Sequence, residues 1–235
     1  MTLPDTRSAR DAILGALRRG APAPALPLPD LAPYLTGRYG RGSIGARIDP
    51  ASLIEPFVAA AQGWRAEVLR ATPADWPQVL RGALATRGCR RIAIGAASPL
   101  QPQLDIALAG LEPRRFERPI EDWKAELFDA VDAGVTSTLG GVADTGSLLI
   151  RPGSGEPRTL SLVPPVHVAV LAASRIYASL PAAMQALAPT DAMPTNLLLV
   201  TGPSKTADIQ QVLAYGAHGP KELVIVLVDD LEGAA

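Results

Sequence analysis

The chain has three lysines, and one of them stands in the turn Thr201-Gly202-Pro203-Ser204-Lys205-Thr206, directly after the apolar run 197–200. The pattern after the turn, TADIQQVLAYG, predicts a helix over 206–216. The first amides of a helix have no intrahelical partner and sit at the positive end of its dipole. Gly202 would let a ligand approach the backbone. Ser204 and Thr206 offer hydroxyls, and Lys205 adds a mobile charge. The chemistry expected of this set is anion binding, to a phosphate or a carboxylate, although the Walker A spacing is absent. A plain turn, with Ser204 or Thr206 capping the helix and Lys205 solvated, is the competing expectation.

A second stretch, GVTSTLGGVADTGSLLI over 134–150, puts Asp144 beside Thr136, Thr145, Gly146 and Ser147. A carboxylate among hydroxyls and glycines can act as nucleophile or general acid/base, or can form a turn. His167 and His218 can each exchange a proton near neutral pH or hydrogen-bond to backbone. Two histidines with scattered carboxylates make no metal signature, so no metal site is expected. Cys89 is the single cysteine, which excludes an intrachain disulfide and a cysteine-based cluster within one chain.

Alternating elements must position these groups. Residues 5–19 predict an amphipathic helix with Ile13, Leu14 and Leu17 on one face. The proline-rich stretch 21–33 predicts an extended polyproline arm. Residues 49–62 and 72–88 read as helices with Asp49 and Thr72 as N-caps, and 64–71 and 89–95 as strands. Helices over 100–110 and 121–130 precede a strand-rich middle that includes 158–164. A helix follows Ser179, and 222–230 is a strand apolar enough to be covered on both faces. Strands and helices in this alternation predict an α/β fold with a largely parallel sheet. The domain expectation is a helix and arm over 1–35 and an α/β domain over 36–230.

A net charge of −1 lacks the basic excess of a nucleic-acid binder. The N-terminus lacks the apolar core of a signal peptide, and no apolar run approaches ~18 residues, so the expected location is the cytoplasm.

Three segments, ADTGSLLI (143–150), RTLSLVPPVHVAVL (158–171) and TGPSKTADIQQVLAYGAHGPKELVIVLVDD (201–230), together resemble the LUD-domain family, in its lactate-utilization protein C branch. The resemblance implies a Rossmann-like layered sheet similar to the ribose-5-phosphate isomerase and CoA-transferase folds. It implies a part in oxidising L-lactate to pyruvate, beside two sister proteins that carry the iron–sulfur clusters, with no cofactor in this chain. Asp144 stands where the family commonly has Glu. One methylene less withdraws the carboxylate by about 1.5 Å, a misplacement that can cost ~100-fold in a covalent step. The resulting expectation is a non-redox subunit. Its anion cleft would be formed by the loops of 136–147 and 202–206, with Asp144 and His218 as acid/base groups, Gly202, Ser204, Lys205 and Thr206 on the anion, and Thr136, Thr145, Gly146 and Ser147 on the substrate. Two alternatives are a free-standing transferase or isomerase using Asp144, and a pure assembly protein.

Overall fold

The computed structural model describes residues 6–20, 49–187, 194–207, 213–216 and 218–231. The chain divides into two compact units, Met1–Pro33 and Tyr34–Ala235. In the first, α1 (Thr6–Gly20) carries Arg18 and Arg19 in its last turn, where cations favour the negative end of the helix dipole. The proline arm of 21–33 lies outside the described residues.

The second unit is built on six strands: β1 (Glu67–Ala71), β2 (Arg91–Ile94), β3 (Glu112–Arg115), β4 (Ala133–Ser137), β7 (Val166–Ala172) and β12 (Glu222–Val228). They pair in parallel in the order β1-β12-β7-β4-β2-β3. Helices α2 (Ala51–Gly63), α3 (Trp76–Thr86), α4 (Gln101–Ala107) and α5 (Lys124–Asp129) alternate with the first strands. A second sheet joins β5 (Gly140–Val142), β6 (Ser147–Ile150), β8 (Ile176–Tyr177) and β9 (Leu198–Val200) in the order β8-β5-β6-β9. Short helices α6 (Thr159–Leu162) and α7 (Leu180–Ala186) and a hairpin of β10 (Lys205–Ala207) with β11 (Leu213–Tyr215) complete it.

Apart from His167 and Glu222, β7 and β12 are apolar because both their faces are covered. Val168 and Val226 pack toward Leu80 and Leu84 of α3 and Leu104 of α4. Their neighbours Ala169, Leu171 and Ile225 pack toward Phe57 and Ala61 of α2 and Leu148 of the second sheet. The period-2 split of side chains thus makes three layers: helices, parallel sheet, then α2 with the smaller sheet. This is the α/β, Rossmann-like layering that the alternation and the resemblance imply.

Three local expectations need correction. Residues 158–164 do not form a strand; Thr159–Leu162 is a helical turn that buries Leu160 with Trp123 and Leu127. Pro164 and Pro165 have no N–H to give a ladder, so a strand there would be poorly paired. The edge strand β3, EPRR, has no apolar alternation to announce it. Most important, no helix begins at Thr206 among the described residues: Lys205–Ala207 is a strand, with Lys205 opposite Tyr215 in an antiparallel pair. Residues 208–212 lie outside the described residues. The hairpin is tied down at its base, where the Gly216 amide donates to the Ser204 carbonyl (2.9 Å) and the Ser204 amide to the Pro220 carbonyl (2.8 Å). Thr206 and Tyr215 are good strand formers, and this pairing overrides the weak helical period.

Candidate functional site at the carboxyl edge of the parallel sheet

β2, β4, β7 and β12 deliver their carboxyl ends to one edge, where open α/β sheets leave a crevice for ligands. A cleft of about 660 Å³ opens there, lined by Ser137, Thr138, Arg151, Glu156, Arg175 and Asp230 among others. The loop of 151–156 lies across this edge. It is held by the Gly153 amide donating to the Glu156 carbonyl (3.0 Å) and by the Ala97 amide donating to the Gly155 carbonyl (3.4 Å). Gly95, just beyond β2, permits the approach, since a Cβ there would collide with the Gly155 carbonyl.

The charges of the cleft are unequally satisfied. The Glu156 carboxylate accepts the Ser98 hydroxyl, the Ser137 amide (3.1 Å) and the Ser137 hydroxyl (2.6 Å). Asp230 accepts the Ser174 amide (2.8 Å) and hydroxyl (2.6 Å). Both acids are thus occupied by neutral donors. Arg151 and Arg175 are exposed, and among the described residues neither has an ion pair or a side-chain hydrogen bond. Two uncommitted guanidinium groups facing one cleft suit a carboxylate or phosphate, which the planar fork can bind through two hydrogen bonds.

The residues singled out in the sequence are dispersed. Gly202, Ser204 and His218 line a separate cavity of about 190 Å³ together with His167. This cavity is at the opposite, amino edge of the parallel sheet. The reason is topological: β9 pairs antiparallel with β6 in the second sheet, so the turn after it meets Pro220, ahead of β12. Because Lys205 and Thr206 begin a strand and the Ser204 amide is spent on Pro220, the described residues of this turn form no cradle of free helix amides. The expected single cleft between the two loops is therefore not formed.

Asp144 and Thr145 are exposed in the β5–β6 hairpin turn and line neither cavity. The Thr145 and Gly146 amides both donate to the Val142 carbonyl, at 3.4 and 2.8 Å. Gly146 has φ +64°, and a Cβ on it would run into the α2 backbone at Ala61. It seats the hairpin on the helix. The hydroxyls of Thr145, Ser147 and Thr201 are linked in a row, at 2.8 and 2.6 Å. Thr136 is buried, with Oγ1 2.9 Å from His167 Nε2.

Residues 54–228 match the LUD domain. The chain belongs to the LUD-domain family. An uncharacterized protein of Neisseria meningitidis serogroup B is 39% identical over 224 residues, 94% of either chain. Lactate utilization protein C of Deinococcus radiodurans is 28% identical over 232 residues, 97% of this chain and 99% of that one. The crystal structure of a DUF162 family protein from Deinococcus radiodurans superposes with a TM-score of 0.56 at 22% identity, over 77% of this chain and 99% of that chain, and shares the fold. The matched LUD domain takes in the loop of 151–156, Arg175 and both histidines.

Neither Arg151, Arg175 nor Glu156 stands out in the sequence as a site residue of the LUD domain. The legible signal was the segment RPGSGEP, in which Arg151 and Glu156 bracket a glycine-rich loop after an apolar strand. No helix among the described residues is long and apolar enough to cross a membrane.

His167 gives the LUD domain a measurable acid sensitivity. It is wholly buried, and burial pushes its imidazole from 6.5 down to about 4. Between these values the unfolded chain binds a proton that the folded chain does not, so stability falls as pH falls through this window. From about pH 7 to about pH 5 the loss from this group is about 2 kcal/mol. Urea midpoints across this range should fall more steeply for the wild type than for His167→Gln, which has no such proton to take up. Parallel slopes would show that His167 is not held neutral.

Proposed function

We propose that this LUD-domain protein serves lactate utilization as the component that binds the small acid, in the cleft at the carboxyl edge of the six-stranded sheet. The observation that carries this is the pairing of two uncommitted arginines, Arg151 and Arg175, with acids already occupied by serine donors. A 2-hydroxy acid offers a carboxylate to the guanidinium groups and a hydroxyl proton to Glu156. Its 2-keto counterpart keeps the carboxylate for the guanidinium groups but has no hydroxyl proton for Glu156. The name of the Deinococcus relative, which spans nearly the whole chain, supports lactate and pyruvate as the pair concerned.

Oxidation of lactate to pyruvate releases two electrons and two protons. Cys89 is the single cysteine, it is buried, and burial is the main cause that pushes its thiol up. One thiol cannot supply the four ligands of an iron–sulfur cluster. The electrons are therefore assigned to sister proteins that carry clusters, with this chain as the non-redox subunit of a complex.

Calorimetric titration of the purified chain with L-lactate and with pyruvate tests the reading, and saturable heat is expected for both. A flat response to both acids would remove it. Glu156→Gln separates the two ligands: lactate loses the acceptor for its hydroxyl and should weaken about tenfold, while pyruvate changes less. Equal losses for the two acids would assign Glu156 to holding the loop alone.

A further inference from the structure

We propose that the cavity at the amino edge of the sheet, between His167 and the Gly202–Ser204 turn, is a second site, which binds a short-chain monocarboxylate. It does not depend on the reading of the carboxyl-edge cleft. About 17 Å of β7 separates His167 from Ala172 at the other edge, at ~3.3 Å per residue.

The floor of the cavity is the strongest observation. His167 is completely buried, its Nε2 is engaged by the Thr136 hydroxyl at 2.9 Å, and its Nδ1 has no hydrogen-bond partner among the described residues. A buried imidazole nitrogen left unpaired is unfavourable, so an occupant that pairs with it is favoured. The Thr136 hydroxyl can donate to Nε2, which puts the ring proton on Nδ1 as an uncommitted donor. Ser204 and His218 bring a hydroxyl and a second imidazole to the same cavity.

The walls define the rest of the ligand. Leu162, Leu199, Val200 and Leu223 line the cavity, and Leu162 and Leu199 are partly exposed beside it. Among the described residues that line it there is no Asp, Glu, Lys or Arg. Its volume of about 190 Å³ is several times the ~30 Å³ that one water occupies in the liquid. A molecule with one oxyanion end and a short apolar body matches this lining: the carboxylate accepts from His167 Nδ1 and from the donors of Ser204 and His218, and two or three carbons contact the leucines. A strong dianion would find no guanidinium or ammonium group among the described lining residues to balance it.

The chain contains two histidines, and both line this cavity, so their ring resonances report on it without ambiguity. The experiment is a titration of ¹⁵N-labelled protein with propionate, read on the histidine ring nitrogens, with propionamide as the neutral control. It is run in the wild type and in Arg151→Ala/Arg175→Ala, which silences the carboxyl-edge cleft. Saturable shifts of the His167 ring with propionate, equal in both proteins, are expected, with propionamide at least about tenfold weaker because a neutral oxygen is the poorer acceptor. His167→Gln keeps a nitrogen near the Thr136 hydroxyl and removes Nδ1, and should weaken propionate about tenfold; His167→Asn keeps a donor near Nδ1 and should stay within about threefold. Should the buried variants fail to fold, Ser204→Ala, a partly exposed position, should still cost about threefold. An unmoved His167 ring in the wild type, or propionamide bound as well as propionate, would overturn the proposal. Shifts lost in the double-arginine variant would overturn it too, and would assign the anion to the cleft instead.

Discussion

Replacing Arg151 and Arg175 together by alanine should lower the affinity of the chain for lactate and pyruvate about 100-fold, with each single replacement costing about tenfold. The magnitude follows from the loss of charge-assisted hydrogen bonds that no other described residue lining the cleft can replace. Glu156 and Asp230 face the same opening and would repel an anion once the guanidinium groups are gone. Folding should be almost untouched, because both arginines are exposed and neither is paired among the described residues. Surface substitutions of that kind stay within about 0.5 kcal/mol. Calorimetry for binding and thermal melts for stability separate the two effects. Raised salt should mimic the substitutions in part, since exposed charges are screened beyond about 8 Å at physiological ionic strength. Full affinity in the double variant would move the ligand out of this cleft.

Gly146→Ala should destabilise the chain by about 4 kcal/mol. Two costs combine. A left-handed φ of +64° strains any residue with a Cβ, by about 1–2 kcal/mol. The added carbon also meets the α2 backbone at Ala61, and neither side of that contact is a flexible side chain. Overpacking of this sort adds about 1–3 kcal/mol. The hairpin would have to lift from α2, and with it Leu148, which is fully buried against that side of the parallel sheet. Urea denaturation measures the loss. By contrast, Asp144→Asn in the same turn should change stability by less than about 0.5 kcal/mol, because Asp144 is exposed and its amide, not its carboxyl, makes the bond to the Ala178 carbonyl. A mild Gly146→Ala would mean that the hairpin is not seated on the helix as described.

The fold was readable where side-chain burial decides the structure. The apolar strands 166–172 and 222–228 announce a doubly covered sheet, and Ser179 accepts from the Ala182 amide at the start of α7 as an N-cap should. It was not readable where pairing with a distant segment decides. Lys205–Ala207 becomes a strand because residues 213–215 lie beside it, and no local period contains that information. The site shows the same division. Asp144 and Gly202 attract notice because acids and glycines in turns often serve ligands, yet Gly202 has φ +77° and a Cβ on it would strike the Trp64 carbonyl. It admits neighbouring backbone rather than a ligand. Arg151, Glu156 and Arg175 are ordinary surface residues until the topology brings the end of β4, the loop after β6 and the turn after β7 to one edge. His167 lay between: its place in a strand was legible, but its unpaired Nδ1 and the cavity that the residue lines depend on what the second sheet and the turn before β12 leave open.

The central claim is that the small acid sits at the carboxyl edge of the parallel sheet. Amide ¹H–¹⁵N spectra of the wild type recorded through a pyruvate titration test it most directly. The account predicts saturable shifts at Ser137, Gly153, Gly155 and Glu156, abolished in Arg151→Ala/Arg175→Ala. Pyruvate binding that leaves those four amides unmoved, or that moves them equally in the double variant, would contradict it.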